Sequence, residues 1–440
     1  MAAESLKKTA GWVHLWALGV GGVISGNYFG WQTGLLAGGF EGLFHATLLI
    51  ALMYICLVFS IAELSAALPD AGGFYNFTRA AFGKDRAFLN GLTDSIEYVT
   101  TPAVIVAGIA GYMKAIVPGS SDWLWWLVFY LFFVGINVAG AALTFRVSMI
   151  ITALAAIVLF VFYYGAITSG AFDTHLLHNI PYKGWYGIFA AMPYAVWFYL
   201  AIEQLPLSAE ESFDAARDMP RALKWGMASL ILLSMGTVIL NSGVGPGAKG
   251  IGESAAPLEA GFRAVYASKA TSIVLSIISL TGLIASFHSI IYAYGRLLFA
   301  LSRAGFLPAT LAKLNGRQTP HVALIAGGAI GLVLCFLAQQ YAGSVGAALL
   351  NMAVFGALLS YILVLLSFLK LRRSRPDLPR PYRSPLGVVG AYIGIALAVT
   401  CLCATFAIES FRPGVAGTVV FIAAMLAYYF LYRRKHVLEQ

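Results

Sequence analysis

The chain has 440 residues, of which 60% are hydrophobic and 11% charged, against roughly 25% charged in an average soluble domain. No soluble fold of this length hides so much apolar surface, so the composition excludes a soluble enzyme or binding module. It points to an all-α integral membrane protein with many spans. The net charge of +9 raises nucleic acid as a partner, but its distribution assigns it to membrane topology instead.

At about 20 apolar residues per crossing, the chain reads as twelve spans. The first six are Trp12–Gly39, Gly42–Leu68, Ala87–Val117, Trp123–Leu143, Val147–Ser169 and Trp185–Glu211. The rest are Ala222–Asn241, Thr271–Leu301, His321–Ala338, Val345–Leu371, Leu386–Glu409 and Gly414–Leu431. The first apolar run is too long for a cleavable signal peptide, lacks a cleavage motif and is followed by further spans. Cys56, Cys335, Cys401 and Cys403 all lie in apolar runs and read as small packing residues rather than disulfides or metal ligands.

With the N-terminus placed inside, 22 Lys and Arg fall on the inner side. Six fall outside: Lys114, Lys183, Lys249, Arg263, Lys269 and Arg412. That asymmetry places both termini in the cytoplasm and accounts for the basic charge without nucleic acid. Two segments outside the spans are substantial. The outer one, Ser242–Ala270, contains "PLEAGFRAVYA", which predicts a short surface helix. The inner one, Lys370–Pro385, reads "KLRRSRPDLPRPYRSP" and predicts a solvated basic linker. Neither makes a catalytic domain.

Spans 1 and 6 are interrupted. Span 1 carries "SGNYFGWQTG", poor material for a membrane helix, with its break expected around Ser25-Gly26-Asn27. Span 6 carries Pro193, the carboxylate of Glu203 and Pro206 within "PYAVWFYLAIEQLPLSAEES". Proline alone explains a kink. A matched pair of broken spans, at the same place in two successive sets of five, instead points to an inverted-repeat transporter with its site at mid-membrane. Unwinding frees backbone groups there, and glycine lets a ligand approach them.

Four motifs carry a family resemblance: "GVISGNYFG", "ALPDAGGFYNFTRAAFG", "AEESFDAARDMPRAL" and "GRLLFALSRAGFLPATLAKLNGRQTP". Together they resemble the amino acid–polyamine–organocation superfamily over nearly the whole chain. Within it the chain looks most like the bacterial ethanolamine permeases. The resemblance implies a LeuT-like fold: a first repeat over residues 12–169, an inverted second repeat over 185–371, and two further helices over 386–431. It also implies a substrate pocket between spans 1, 3, 6, 8 and 10, in a bacterial inner membrane.

Departures from the family pattern shape the substrate expectation. Where amino-acid carriers receive the α-carboxylate with Gly-Ser-Gly, the corresponding triplet reads as Gly30-Trp31-Gln32, with a bulky indole. Where span 6 usually has glycine two residues before its acid, this chain has Ala201. Both changes fill the anion end, so the expected substrate keeps an amine and lacks a carboxylate.

Intramembrane acids are costly and mark function. Glu97 lies about 13 residues into span 3, roughly 20 Å deep, and is the candidate counter-ion for an ammonium. Tyr98 and Thr101 beside it, with Ser25, Gly26, Asn27, Trp31, Trp197, Phe198, Tyr199, Ala201 and His288, complete the candidate substrate site. Aromatic faces attract ammonium groups, although such residues also serve as lipid-facing bulk. His288 reads equally as a packed histidine, and Asn27 and Ser25 as caps of the broken helices. Glu203 is the candidate gate or proton-exchanging acid, and Asp94 part of the inner exit. Glu63, Glu210 and Glu211 are expected to pair with Arg79, Arg217, Arg221 or Arg303 in an inner gate.

The leading expectation is an importer of ethanolamine or a close amino alcohol or amine, with proton coupling left open. The rivals are an amino-acid or polyamine permease, and a membrane receptor. A receptor needs an output domain that these segments do not offer. An enzyme needs a nucleophile and base or a metal cluster. The seven histidines are scattered, so no catalytic residue, metal or cofactor is expected.

Overall fold

The first apolar segment is built in two pieces. In the computed structural model, which describes residues 6–266, 272–340 and 345–437, α1 (Trp12–Val23) gives way to one 3₁₀ turn, Ile24–Asn27. The chain then runs non-helically to Gln32 and resumes as α2 (Thr33–Ala67). Gly39, at φ +73° and ψ 176°, divides α2 into a short outer half-helix and the second crossing. Only glycine takes that conformation cheaply. The outer Lys269 and the expected first residue of span 8, Thr271, lie outside the described residues.

After α3 (Phe74–Phe82), on the side expected to face the cytoplasm and termed inner below, the long helices continue as α4 (Lys84–Ile116), α5 (Asp122–Val138) and α6 (Ala141–Thr168). A short outer α7 (Thr174–Leu177) leads into α8 (Gly184–Ala195). This stops at a second break and continues as a 3₁₀ segment, Ile202–Glu211. Then come α9 (Ala215–Gly236), the outer helices α10 (Gly247–Glu253) and α11 (Pro257–Tyr266), and α12 (Ser272–Arg303). The chain ends in α13 (His321–Gln340), α14 (Val345–Ser374), α15 (Gly387–Ala407) and α16 (Arg412–Tyr428). Among the described residues, ten helical stretches are long and apolar enough to cross a membrane. The surface helix expected in "PLEAGFRAVYA" is α11.

One expectation is corrected here. Span 4 is expected to run through Leu143, but the helix ends at Val138 and the chain turns at Gly140, φ +126°. Apolar composition continues across the turn, so hydropathy cannot place it. The inner linker is solvated over most of its length, as expected, but it is anchored at one point. Glu63, buried at the end of α2, accepts from Arg372 Nε at 3.0 Å and from the Ser384 backbone at 2.7 Å, and pairs with Arg380 Nε at 3.1 Å. Arg380 in turn donates to the carbonyls of Leu371, Arg375 and Leu378. One buried carboxylate thus folds the linker onto the inner face.

Lipid supplies no hydrophobic drive between helices, so close packing rests on small residues. A Cβ added at Gly38 of α2 would sit 2.4 Å from the Gly187 carbonyl of α8. This contact holds the outer half of span 1 against the outer half of span 6.

Candidate substrate site

The two breaks form one structure. Gly26 lies so close to the Trp197 carbonyl oxygen that a Cβ would come within 1.8 Å of it. Ser286 of α12 bridges the span 1 break: its hydroxyl accepts from Ser25 N–H at 3.0 Å and donates to the Gly21 carbonyl at 2.9 Å. Asn27 Oδ1 accepts from Thr237 at 3.1 Å, and Tyr28 OH donates to the Ala155 carbonyl at 2.9 Å. Neighbouring spans thereby satisfy groups that unwinding frees, the condition for irregular backbone at membrane depth.

On the span 6 side, Ala201 has φ +86° and ψ 1°, a left-handed conformation that costs an L-residue roughly 1–2 kcal/mol. Its N–H donates to Glu203 Oε1 at 3.0 Å, so the acid closes the break that precedes it. The expected half-helix after Glu203 is present in 3₁₀ form.

The span 1 break falls at Ser25-Gly26-Asn27, and Gly30-Trp31-Gln32 follows it. The closest approach of the breaks lies at Gly26, and the triplet forms the turn into the outer half-helix. Gly30 N–H donates to Gln32 Oε1 at 2.7 Å, and Gln32 Nε2 reaches the Ser254 carbonyl at 3.2 Å. A side-chain amide oxygen thus occupies the Gly30 N–H. The buried Trp31 indole packs on Phe198, ring centroids 5.5 Å apart, and its Nε1 has no partner. The Asn27 amide nitrogen is likewise buried and unpartnered.

Three acids meet at this level. Glu97 and Glu203 are 1% and 2% exposed, and their carboxyl groups are near enough to interact directly. Tyr361 OH donates to Glu203 Oε1, and Tyr54 OH lies 2.9 Å from Tyr361 OH. Both Glu97 oxygens and Glu203 Oε2 have no hydrogen-bond donor. Asp94 accepts from Ser360, which also reaches Asn90 Oδ1 at 3.1 Å. None of the three acids is in an ion pair among the described residues. Two facing carboxylates cannot both stay ionised and unpartnered, so the pair requires a positive partner: a shared proton or a cation.

Around them, Tyr98 is buried, and Tyr199 packs on Tyr54 at 5.4 Å while its hydroxyl reaches Ser234 at 2.7 Å. The Trp197 ring packs near Phe29. Thr101 spends its hydroxyl on the Glu97 backbone carbonyl at 2.6 Å. His288 stands apart: it is buried on α12 between Asn137 of α5, 3.3 Å away, and the Thr144 carbonyl of α6, 3.0 Å away. It is placed as a packed histidine.

Below the acids, the inner side is tied by ion pairs. Glu211 is fully buried, with Arg296 Nη2 2.9 Å from Oε1 and Tyr292 donating to Oε2. The Arg296 guanidinium sits 3.8 Å from the Tyr292 ring centroid. Thr9 and Ala10 N–H groups both donate to the Glu211 carbonyl. Arg303 bridges Glu210, 2.5 Å away, and Asp70, 3.1 Å away, beside a cavity of about 960 Å³ open to the inner face. Asp70 lies outside the spans, and its burial, reinforced by Glu210, outweighs Arg303 and holds its carboxyl above the ordinary range. Glu210–Arg303 is therefore the stronger of the two pairs. The partners differ from expectation for two acids: Glu63 pairs with Arg372 and Arg380, and Glu211 with Arg296.

The sequence profile of the amino acid permease family matches residues 14–433. The chain belongs to the amino acid permease family. This permease is thus a multi-pass membrane transporter and not an enzyme, and the family implies the LeuT-like arrangement of broken helices. It is 25% identical to the branched-chain amino acid permease BcaP of Bacillus subtilis, over 98% of this chain and 94% of that protein. It is 25% identical to a methylthioribose transporter of the same organism, over 99% and 95%. It is 24% identical to the D-serine/D-alanine/glycine transporter of Escherichia coli K12, over 90% and 88%. The cargoes in these names are amino acids and methylthioribose, not ethanolamine.

Several site residues of this permease escape a sequence reading. Tyr54 and Tyr361 join Glu203, Ser286 and Thr237 hold span 1, and Arg296 and Tyr292 hold Glu211. Tyrosines and serines are common in membrane helices and give no signal alone. Arg296 did offer one, a cation seven residues before the end of a long apolar helix.

Proposed function

We propose that this permease imports a small organic cation, an amino alcohol or amine of the ethanolamine class, by alternating access around the two breaks. The observation that carries the proposal is the Glu97–Glu203 pair. These are two mid-membrane carboxylates with three unpartnered oxygens and no basic residue paired to them among the described residues. An ammonium supplies both the charge and the donors they lack. The unpartnered donors Asn27 Nδ2 and Trp31 Nε1 suit an acceptor such as a hydroxyl at the other end of the substrate. Tyr98, Trp197, Phe198 and Tyr199 supply aromatic faces around the cation. The substrate's ammonium takes the place of the proton that the empty pair shares, so import is coupled to proton release.

In this reading α5 and the broken first span complete twelve crossings. Residues 12–169 and 185–371 form the two inverted repeats, 386–431 adds the last two helices, and both termini face the cytoplasm of a bacterial cell. A second reading is amino-acid transport, favoured by the amino-acid cargoes in two of the relatives' names. The same unpartnered donors suit a carboxylate. Thermal stabilisation of the purified protein separates the two. The organic-cation reading expects ethanolamine to raise the unfolding temperature, alanine and leucine to leave it unchanged, and Glu97→Gln to remove the effect. Stabilisation by the amino acids alone would reverse the assignment.

A further inference from the structure

A second site of opposite charge lies on the inner face, away from the acids. Arg217, Arg221 and Lys224 project from successive turns of α9, spaced i, i+4 and i+7, and so share one helix face. They line an open cavity of about 310 Å³, bordered on its other side by Pro381 and Tyr382 of the anchored linker. Lys224 Nζ sits 5.3 Å from the Tyr382 ring centroid. No carboxylate lines the cavity. The inner ion pairs elsewhere, on Glu63, Glu210 and Glu211, use other cations. Positive-inside topology explains why three cations are inside. It does not explain their convergence on one cavity without a counter-charge.

The depth of the cavity follows from the sequence of α9. Lys224 is its last charged residue; next comes Trp225, 61% exposed, then "GMASLILLSMG" to the end of the helix. A boundary of lysine and then exposed tryptophan marks the membrane interface, so the three cations stand at the level of the lipid headgroups. A basic pocket between helices at cytoplasmic headgroup depth has the chemistry to hold a phosphodiester.

We propose that this cavity binds the headgroup phosphate of an anionic phospholipid from the inner leaflet. The lipid then links α9, which packs on α1 and α2, to the linker that joins α14 to α15. Its presence ties the broken-helix region to the last two crossings.

The test uses the full-length protein purified in neutral detergent. It is titrated with phosphatidylglycerol, phosphatidylcholine or inorganic phosphate, with bound lipid counted by native mass spectrometry. Wild type should retain phosphatidylglycerol in preference to phosphatidylcholine. The triple variant R217Q/R221Q/K224Q should bind it about 100-fold more weakly, from the contribution of each basic residue at a membrane surface. Tyr382→Ala should weaken it less. The control R373Q/R375Q/R383Q removes the same charge from the exposed linker and should bind as wild type. Equal retention by the triple variant, or equal loss in the control, overturns the proposal. Competition by inorganic phosphate at the same concentration as the lipid would make it a soluble-anion site and overturn it as well.

Discussion

The backbone of Gly26 rests against the carbonyl oxygen of Trp197, and this one contact makes the breaks of spans 1 and 6 a single structure. A Cβ there meets backbone rather than a flexible side chain, so the clash cannot be relieved by a rotamer change. Gly26→Ala is expected to destabilise the protein by about 1–3 kcal/mol and to abolish transport, read by thermal unfolding and uptake. Wild-type stability in this variant would show that the breaks do not touch.

Ala201 holds a glycine conformation without being glycine. Relief of roughly 1–2 kcal/mol of left-handed strain exceeds the roughly 0.5–1 kcal/mol entropic cost of glycine. Ala201→Gly should therefore raise stability slightly, by less than about 1 kcal/mol. Ala201→Val should lower it, because β-branching is poorly tolerated at positive φ. Thermal unfolding of both variants checks the sign.

Arg296 and Glu211 are fully buried together. Removing one partner leaves a buried charge alone, so Arg296→Met should cost about 3–5 kcal/mol. The double variant R296M/E211Q should recover much of that loss. Of the two inner pairs made by Arg303, Glu210→Gln should weaken inner closure more than Asp70→Asn, because Asp70 already resists ionisation. Accessibility of an inner-face cysteine label to a membrane-impermeant reagent would rank the two.

The acid pair predicts proton displacement. If an ammonium replaces the proton shared by Glu97 and Glu203, substrate binding in weakly buffered solution should release close to one proton per substrate. Glu203→Gln should abolish the release. A pH indicator or a comparison of binding heats in buffers of different ionisation enthalpy reads it directly.

Much of the architecture is legible in the sequence because lipid enforces simple rules. Long apolar runs must be helices, and Lys and Arg count sides. Two broken spans stand out because Ser25-Gly26-Asn27 and the Pro193–Glu203 stretch violate those rules. The site is only half legible. Glu97 and Glu203 declare themselves as mid-span acids, but nothing in one dimension says that they face each other. The tyrosines that attend Glu203 are ordinary residues in ordinary helices. The break of span 1 is legible at Ser25-Gly26-Asn27, but the tertiary contact of Gly26 with Trp197 and the turn that Gly30-Trp31-Gln32 makes after it are not. Glu63 misled because its partners lie over 300 residues away, in a segment whose charge alone looks solvated.

The most direct test is uptake of labelled ethanolamine into proteoliposomes at clamped voltage, with unlabelled ethanolamine, choline, putrescine, alanine and leucine as competitors. The account predicts saturable ethanolamine uptake, unaffected by alanine or leucine and lost in Glu97→Gln. Inhibition by the amino acids, with ethanolamine itself not transported, would contradict it.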